Sequence, residues 1–294
     1  MTKTQHVNHW SQRGHPYAGR IAVLSTKHDK LPLIAPSLAR IVGLNVNVAA
    51  VDTDVLGTFT GDIPRPGSPL DTAIAKARLG MSATGQVLGI ASEGSIGPNP
   101  SFPFVIADRE LVVLVDDEAD IIVWESYVDP GIRTATTTVR PGDSLESFLA
   151  QADFPNHRLI VRPKETGTPP IRKGIDSLER LNAAIVECAS AASDGLVTIA
   201  TDLRAHVCPT RQPIIAAAAK RLAKRLALRC PSCGAPGWGR VDVLIGVPCS
   251  WCGTEVALPR AEIDGCAACE HRAVRPVVAA EFRADPRECP YCNP

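Results

Sequence analysis

The sequence predicts an α/β protein with a small cysteine-rich module at its C-terminal end. Three observations predict it. Strand-like and helix-like periodicities alternate from Arg20 onward. A Gly-rich stretch after Thr53 leads into a helix with a complete start signal at Ser68. Four Cys-x-x-Cys pairs fall within 63 residues, from Cys230 to Cys292. The expected organisation is a flexible tail over 1–18, an α/β domain with a mixed sheet and flanking helices over 19–229, and a cysteine-rich domain over 230–294.

In chain order, Arg20–Ser25 is a short apolar run that reads as a buried parallel strand. A loop with Thr26, His28 and Lys30 follows, then a helical stretch to about Gly43. Leu44–Val51 alternates and reads as a second strand, completing a βαβ unit. Ser68 caps the next helix, Pro69 suits its first position, and Asp71 sits at the capping-box position. That helix ends before Gly85. Val87–Ala91 is a strand that reads as ending at Glu93 in a Gly-rich turn. The runs 103–107, 111–115 and 121–128 are strands joined too tightly for crossover helices, so an antiparallel portion is expected. Asp143 and Glu146 suggest a capping box before a short helix. His157–Arg162 is a strand, 163–170 a loop, 176–193 a helix, 195–201 a strand and 210–229 the last long helix.

Composition narrows the function classes. The 294 residues are 45% apolar, enough for a sizeable core. With 31 basic and 31 acidic residues, overall charge makes no case for nucleic acid or an anionic membrane. Aromatics, at 4%, are few for a protein built on stacked bases. No apolar run approaches the length of a membrane span. The first residues lack the order of a secretory signal, so a reducing cytoplasm is the expected compartment.

That compartment turns the cysteines toward metal rather than disulfides. Cys230/Cys233, Cys249/Cys252, Cys266/Cys269 and Cys289/Cys292 supply eight thiolates, enough for two tetrahedral zinc sites. Gly234 and Gly253 follow the second cysteine of their pairs, where a tight turn is needed. Chain order suggests that the first and second pairs share one zinc and the third and fourth the other, with a crossed arrangement as the alternative. The module has few apolar residues of its own and is expected to need its metal to fold. Cys188 reads as a buried thiol. Cys208, two residues after His206, is either that or a ligand or nucleophile.

The last helix carries Lys220, Arg221, Lys224, Arg225 and Arg229 on one side, opposite Ile215, Leu222 and Leu226. This reads as a solvated face, or as a nucleic-acid or protein footprint shared with the zinc module. Loop amides, lysines and carboxylates of the first part meet near one helix start, as in phosphate-handling α/β proteins.

Thr26–Lys30, Thr60-Gly61, Asp71–Ala77 and Ser92–Ser95 together resemble the inosine triphosphate pyrophosphatase superfamily, whose members hydrolyse non-canonical nucleoside triphosphates. The resemblance implies that Thr60, Gly61, Lys30 and Lys76, with Arg211, hold phosphates. It also implies that Asp71 and Glu93 ligate Mg²⁺ or Mn²⁺, with Glu93 orienting the attacking water. This sequence has His28 for Asn, Asp71 for Glu, Thr72 for Asn and one acid in place of two at Glu93. Each residue also has a plain reading: Asp71 as a helix cap, Glu93 as a loop acceptor, Lys30 and Lys76 as surface lysines. His28 and His206 are further candidates for substrate contact. Thr58–Gly61, Ser92–Ser95, Arg204–Arg211 and the paired-cysteine tail resemble an uncharacterised bacterial family classed as a domain of unknown function.

Two functions are carried forward. One is a metal-dependent nucleotide pyrophosphohydrolase, acting on a nucleotide or another phosphorylated small molecule. The other is a non-catalytic nucleotide- or nucleic-acid-binding zinc-ribbon protein.

Overall fold

The computed structural model describes residues 14–56, 67–99 and 102–294. A first sheet contains β1 (Ile21–Ser25), β2 (Asn45–Ala49), β3 (Leu88–Pro98), β4 (Ile106–Asp116) and β5 (Ile121–Asp129). Their spatial order is β2-β1-β3-β4-β5. β1 is parallel to β2 and β3, while β3, β4 and β5 form an antiparallel meander.

Helix α1 (Leu31–Val42) connects β1 to β2, and α2 (Pro69–Thr84) lies between β2 and β3 in the chain. The two helices cover opposite faces of the sheet. β4 shows why both faces are apolar. Val112 and Leu114 join one core with Ile34 and Leu38 of α1, whereas Val113 and Val115 join another with Ala73 and Ala77 of α2. A strand covered on both sides reads as a continuous apolar run, as Leu111–Val115 does.

The expected single domain over 19–229 contains a second sheet with a separate core. Strands β6 (Thr136–Val139), β7 (Leu159–Pro163), β8 (Arg172–Ile175) and β9 (Val197–Thr201) lie in the order β6-β9-β7-β8, all antiparallel. Helices α3 (Glu146–Ala152) and α4 (Leu178–Ala191) supply Phe148, Leu181 and Ile185 to its core. The last helix, α5 (Gln212–Ala227), returns to the first sheet, where Ile215, Leu222 and Leu226 pack beside α1. A third sheet of β10 (Gly239–Pro248), β11 (Glu255–Gly265) and β12 (Arg272–Pro276) is an antiparallel meander.

Several local expectations change. Ser92, Glu93 and Gly94 do not form a turn; β3 runs through them to Pro98, paired to β4 along its length. The two runs at 103–107 and 111–115 merge largely into the single strand β4. Asp143 accepts from the Arg140 amide, so α3 starts after Leu145 with no side-chain cap. The expected tail does not extend to residue 18. Tyr17 is fully buried and His15 Nε2 lies 2.9 Å from the Leu226 carbonyl, because the segment before β1 closes the core beside α5. Among the described residues no helix is long and apolar enough to cross a membrane.

Candidate functional site

A polar cleft lies beyond the C-terminal end of β1. The chain leaves β1 toward β2 through α1, then crosses back to β3 through α2. β1 is therefore the point at which the strand order reverses, and open α/β sheets bind ligands at such a point. β1 stops at Ser25, paired beside the start of β3, whereas β3 continues to Pro98. Among the described residues no strand pairs with β3 on that side beyond Ile90, so groups from α1, α2 and α5 can meet there.

They do meet. Lys30, at the N-cap of α1, donates from Nζ to Ser92 Oγ at 2.9 Å. Lys76 on α2 is paired with Glu93 at 2.5 Å. Arg211, at the N-cap of α5, places Nε 2.5 Å from Glu110 Oε1 and donates from Nη1 to the Leu203 carbonyl at 2.7 Å. All six side chains, including Ser92, are buried. Ser25, Thr26, Lys27, His28, Thr53, Asp54 and Gly94 line the cleft with Lys30, Lys76, Ser92, Glu93 and Arg211, and Glu110 backs Arg211.

The electrostatics follow from burial. Burial pulls the Lys30 ammonium down to about 8, with Arg211 and Lys76 acting in the same direction against Glu110 and Glu93. Asp108 is fully buried, and neither of its oxygens has a hydrogen-bond partner among the described residues. Burial, then the neighbouring Glu110 carboxylate, push its carboxyl up to about 7, with Arg211 Nε 4.0 Å away in opposition. His28 stacks on His206 with ring centroids 5.2 Å apart. Burial holds His28 down to about 4, and burial lowers His206 as well. Arg204 is not directed into the cleft; Asp202 holds its guanidinium through bonds of 2.6–3.1 Å.

Of the residues expected at the site, Lys30, Lys76, Glu93 and Arg211 come together. Asp71 does not. Its carboxylate closes a capping box with Ser68, accepting from Ser68 Oγ at 2.6 Å and from the Ser68 amide at 3.2 Å. Five residues separate Asp71 from Lys76, which places them about 140° apart around α2. Thr60 and Gly61 lie outside the described residues. Sequence reasoning missed Ser92, Asp108 and Glu110. The acids did leave a signal: in β4 they share the parity of Val112 and Leu114, so they lie on the face that packs toward α1 and α5.

The cysteines form two groups, each with four sulfurs mutually within 4.8 Å. Cys230 and Cys233 join Cys266 and Cys269; Cys249 and Cys252 join Cys289 and Cys292. The pairing expected from chain order is thus replaced by an interleaved one. β10 carries the chain from the first pair to the second, and β11 returns it to the third. Pairs one and three therefore lie at one end of the hairpin, and β12 leads back toward the other end. A strand of ten residues spans roughly 33 Å, too far for adjacent pairs to share an ion.

The fit to zinc is geometric. Sγ atoms of facing pairs lie 3.8 and 3.6 Å apart in one group and 3.9 and 3.6 Å apart in the other. A tetrahedron with Zn–S of about 2.3 Å requires about 3.8 Å. Gly234 and Gly253 adopt φ of 75° and 74°, the left-handed turn that follows each of the first two knuckles. The first group is joined to the α/β body: Cys233, Cys266 and Ala267 pack against the core that contains α5. The second group sits in a small cluster of its own with Val247, Val256 and Ala284. Four thiolates around one ion would leave no open coordination position, as in structural zinc sites.

Much of the basic stripe on α5 is engaged internally. Arg221 lies over the Tyr127 ring at 4.7 Å and donates to the Ser126 carbonyl, while Arg225 donates to the Trp124 carbonyl and pairs with Glu125. These arginines cover the edge strand β5. Cys188 and Cys208 are buried, and burial raises both thiols.

A family model described as a domain of unknown function (DUF6671) matches residues 76–294. The match includes Lys76, Glu93, Glu110, Arg211 and all eight paired cysteines. No curated protein matches the chain, so the comparisons add no support for a relationship to inosine triphosphate pyrophosphatases.

Proposed function

The chain belongs to the DUF6671 family, and we propose that it is a zinc-stapled binding protein for a nucleotide or other phosphorylated small molecule. The observation that carries this reading is the convergence of buried Lys30, Lys76 and Arg211 on one polar cleft at the reversal point of the first sheet. Buried cations at helix starts favour a phosphate, and the Lys30 ammonium donates to the neutral Ser92 hydroxyl. The zinc ions hold the C-terminal module together and take no part in chemistry.

Hydrolysis through Mg²⁺ or Mn²⁺ draws less support. It asks Asp71 and Glu93 to share a cation, yet Asp71 caps α2 and Glu93 is paired with Lys76. Calorimetric titration with inorganic pyrophosphate and with nucleoside triphosphates, with and without Mg²⁺, tests the reading. Binding is expected, weakened by at least about tenfold in Lys30→Ala or Lys76→Ala, without release of pyrophosphate. Absence of binding to every such ligand would sink the proposal. Pyrophosphate release that disappears in Glu93→Gln would restore the hydrolase reading.

A further inference from the structure

The two knuckles of the second cysteine group carry an aromatic residue at the same position. Trp251 precedes Cys252, and Tyr291 precedes Cys292. The two residues are 80% and 77% exposed. The corresponding positions of the first group hold Ser232 and Ala268, so a knuckle does not itself demand an aromatic residue. The whole chain has only four Trp, three Tyr and six Phe, and most ordered proteins use such residues in the core. Here two of them are displayed at the end of the molecule least joined to the α/β body.

The backbone that carries them is held. The Trp251 amide donates to Cys249 Sγ at 3.5 Å, and a four-thiolate metal site ties both knuckles to one point. Aromatic anchors on a fixed backbone lose little backbone entropy on binding, and Trp and Tyr are enriched among interface hot spots.

Charge selects the partner. Between residues 230 and 294 there are six arginines, no lysine and eight carboxylates, a net charge of −2. Each zinc tetrathiolate contributes about two further negative charges. The arginines are largely neutralised at home: Arg240 and Arg275 both bind Glu262, and Arg287 is held by Asp285. A phosphate backbone would meet net negative charge with few uncommitted cations, which disfavours nucleic acid. An arginine or lysine side chain would find both a favourable field and the negative faces of two rings.

We infer that Trp251 and Tyr291 form a docking surface for a basic protein segment, which sets an arginine or lysine against the two rings. This surface does not depend on the ligand of the cleft.

The test uses the full-length, zinc-loaded chain and three labelled probes: an Arg-Gly repeat peptide, a Glu-Gly repeat peptide of equal length and an oligothymidylate. Fluorescence anisotropy should detect the Arg-Gly peptide alone. Trp251→Ala and Tyr291→Ala should each weaken it by about tenfold, and Trp251→Phe by less. Zinc content should stay unchanged in every variant, because both side chains are exposed. The inference is overturned if the Arg-Gly peptide does not bind, or if its binding ignores both alanine substitutions. Oligothymidylate binding that requires the same two residues would overturn it in favour of nucleic acid.

Discussion

The guanidinium of Arg211 occupies the space that a side chain on Gly94 would need. A Cβ built at Gly94 would stand 2.1 Å from Arg211 Nη2 and 2.5 Å from Glu110 Oε1. Gly94 faces Glu110 across the β3–β4 pair, so this glycine opens the sheet surface to a buried ion pair. Gly94→Ala should therefore displace Arg211 and cost on the order of 3 kcal/mol, the scale of a broken buried pair. Thermal or urea denaturation measures it. Gly97→Ala, on the same strand with no neighbour within 4 Å of its Cβ position, is the control and should be close to neutral. Equal effects at the two positions would show that the close approach is not what Gly94 provides.

Interleaved cysteine pairing has a direct readout in metal content. The wild-type chain should hold about two zinc ions. Cys230→Ser with Cys266→Ser should remove one and leave one, whereas Cys230→Ser with Cys249→Ser should impair both. Pairing in chain order predicts the reverse. Losing the first site should also lower the melting temperature of the α/β body, since Cys233 and Cys266 pack on its core. Losing the second should leave that melting transition nearly unchanged.

Asp108 makes stability depend on pH in a direction opposite to an ordinary paired carboxylate. Its folded pKa is raised to about 7, so the folded chain keeps a proton that the unfolded chain releases near pH ~4. Its contribution is fully present below that range and is lost as pH rises to about 7. An asparagine at 108 does not titrate. The stability of wild type relative to Asp108→Asn should thus fall from about pH 4 to pH 7 and level off above it. Urea unfolding across that range checks this; a difference that rises with pH would contradict the buried, proton-holding state.

Asp71 should behave as a cap. Asp71→Ala is expected to cost about 1 kcal/mol in stability and to leave pyrophosphate binding unchanged. Ser68→Ala should cost a similar amount, and the double variant less than the sum, because both remove the same reciprocal bonds. Loss of ligand binding in Asp71→Ala with the helix intact would return Asp71 to the cleft.

The features legible in the sequence are those fixed by residues close together in the chain. Ser68, Pro69 and Asp71 announced the start of α2, because a capping box closes over three residues. The Cys-x-x-Cys spacing announced metal, because two residues suffice to aim two thiolates at one ion. Apolar periodicity placed most helices and strands for the same reason. What only the tertiary structure decided are relationships between distant segments. Arg211 meets Glu110 from 101 positions away, Lys76 of α2 meets Glu93 of β3, and Cys230 meets Cys269 rather than the nearer Cys249. None of these follows from local preference. Each depends on strand order, on register and on which strand ends first, and those are set by how whole faces bury against one another.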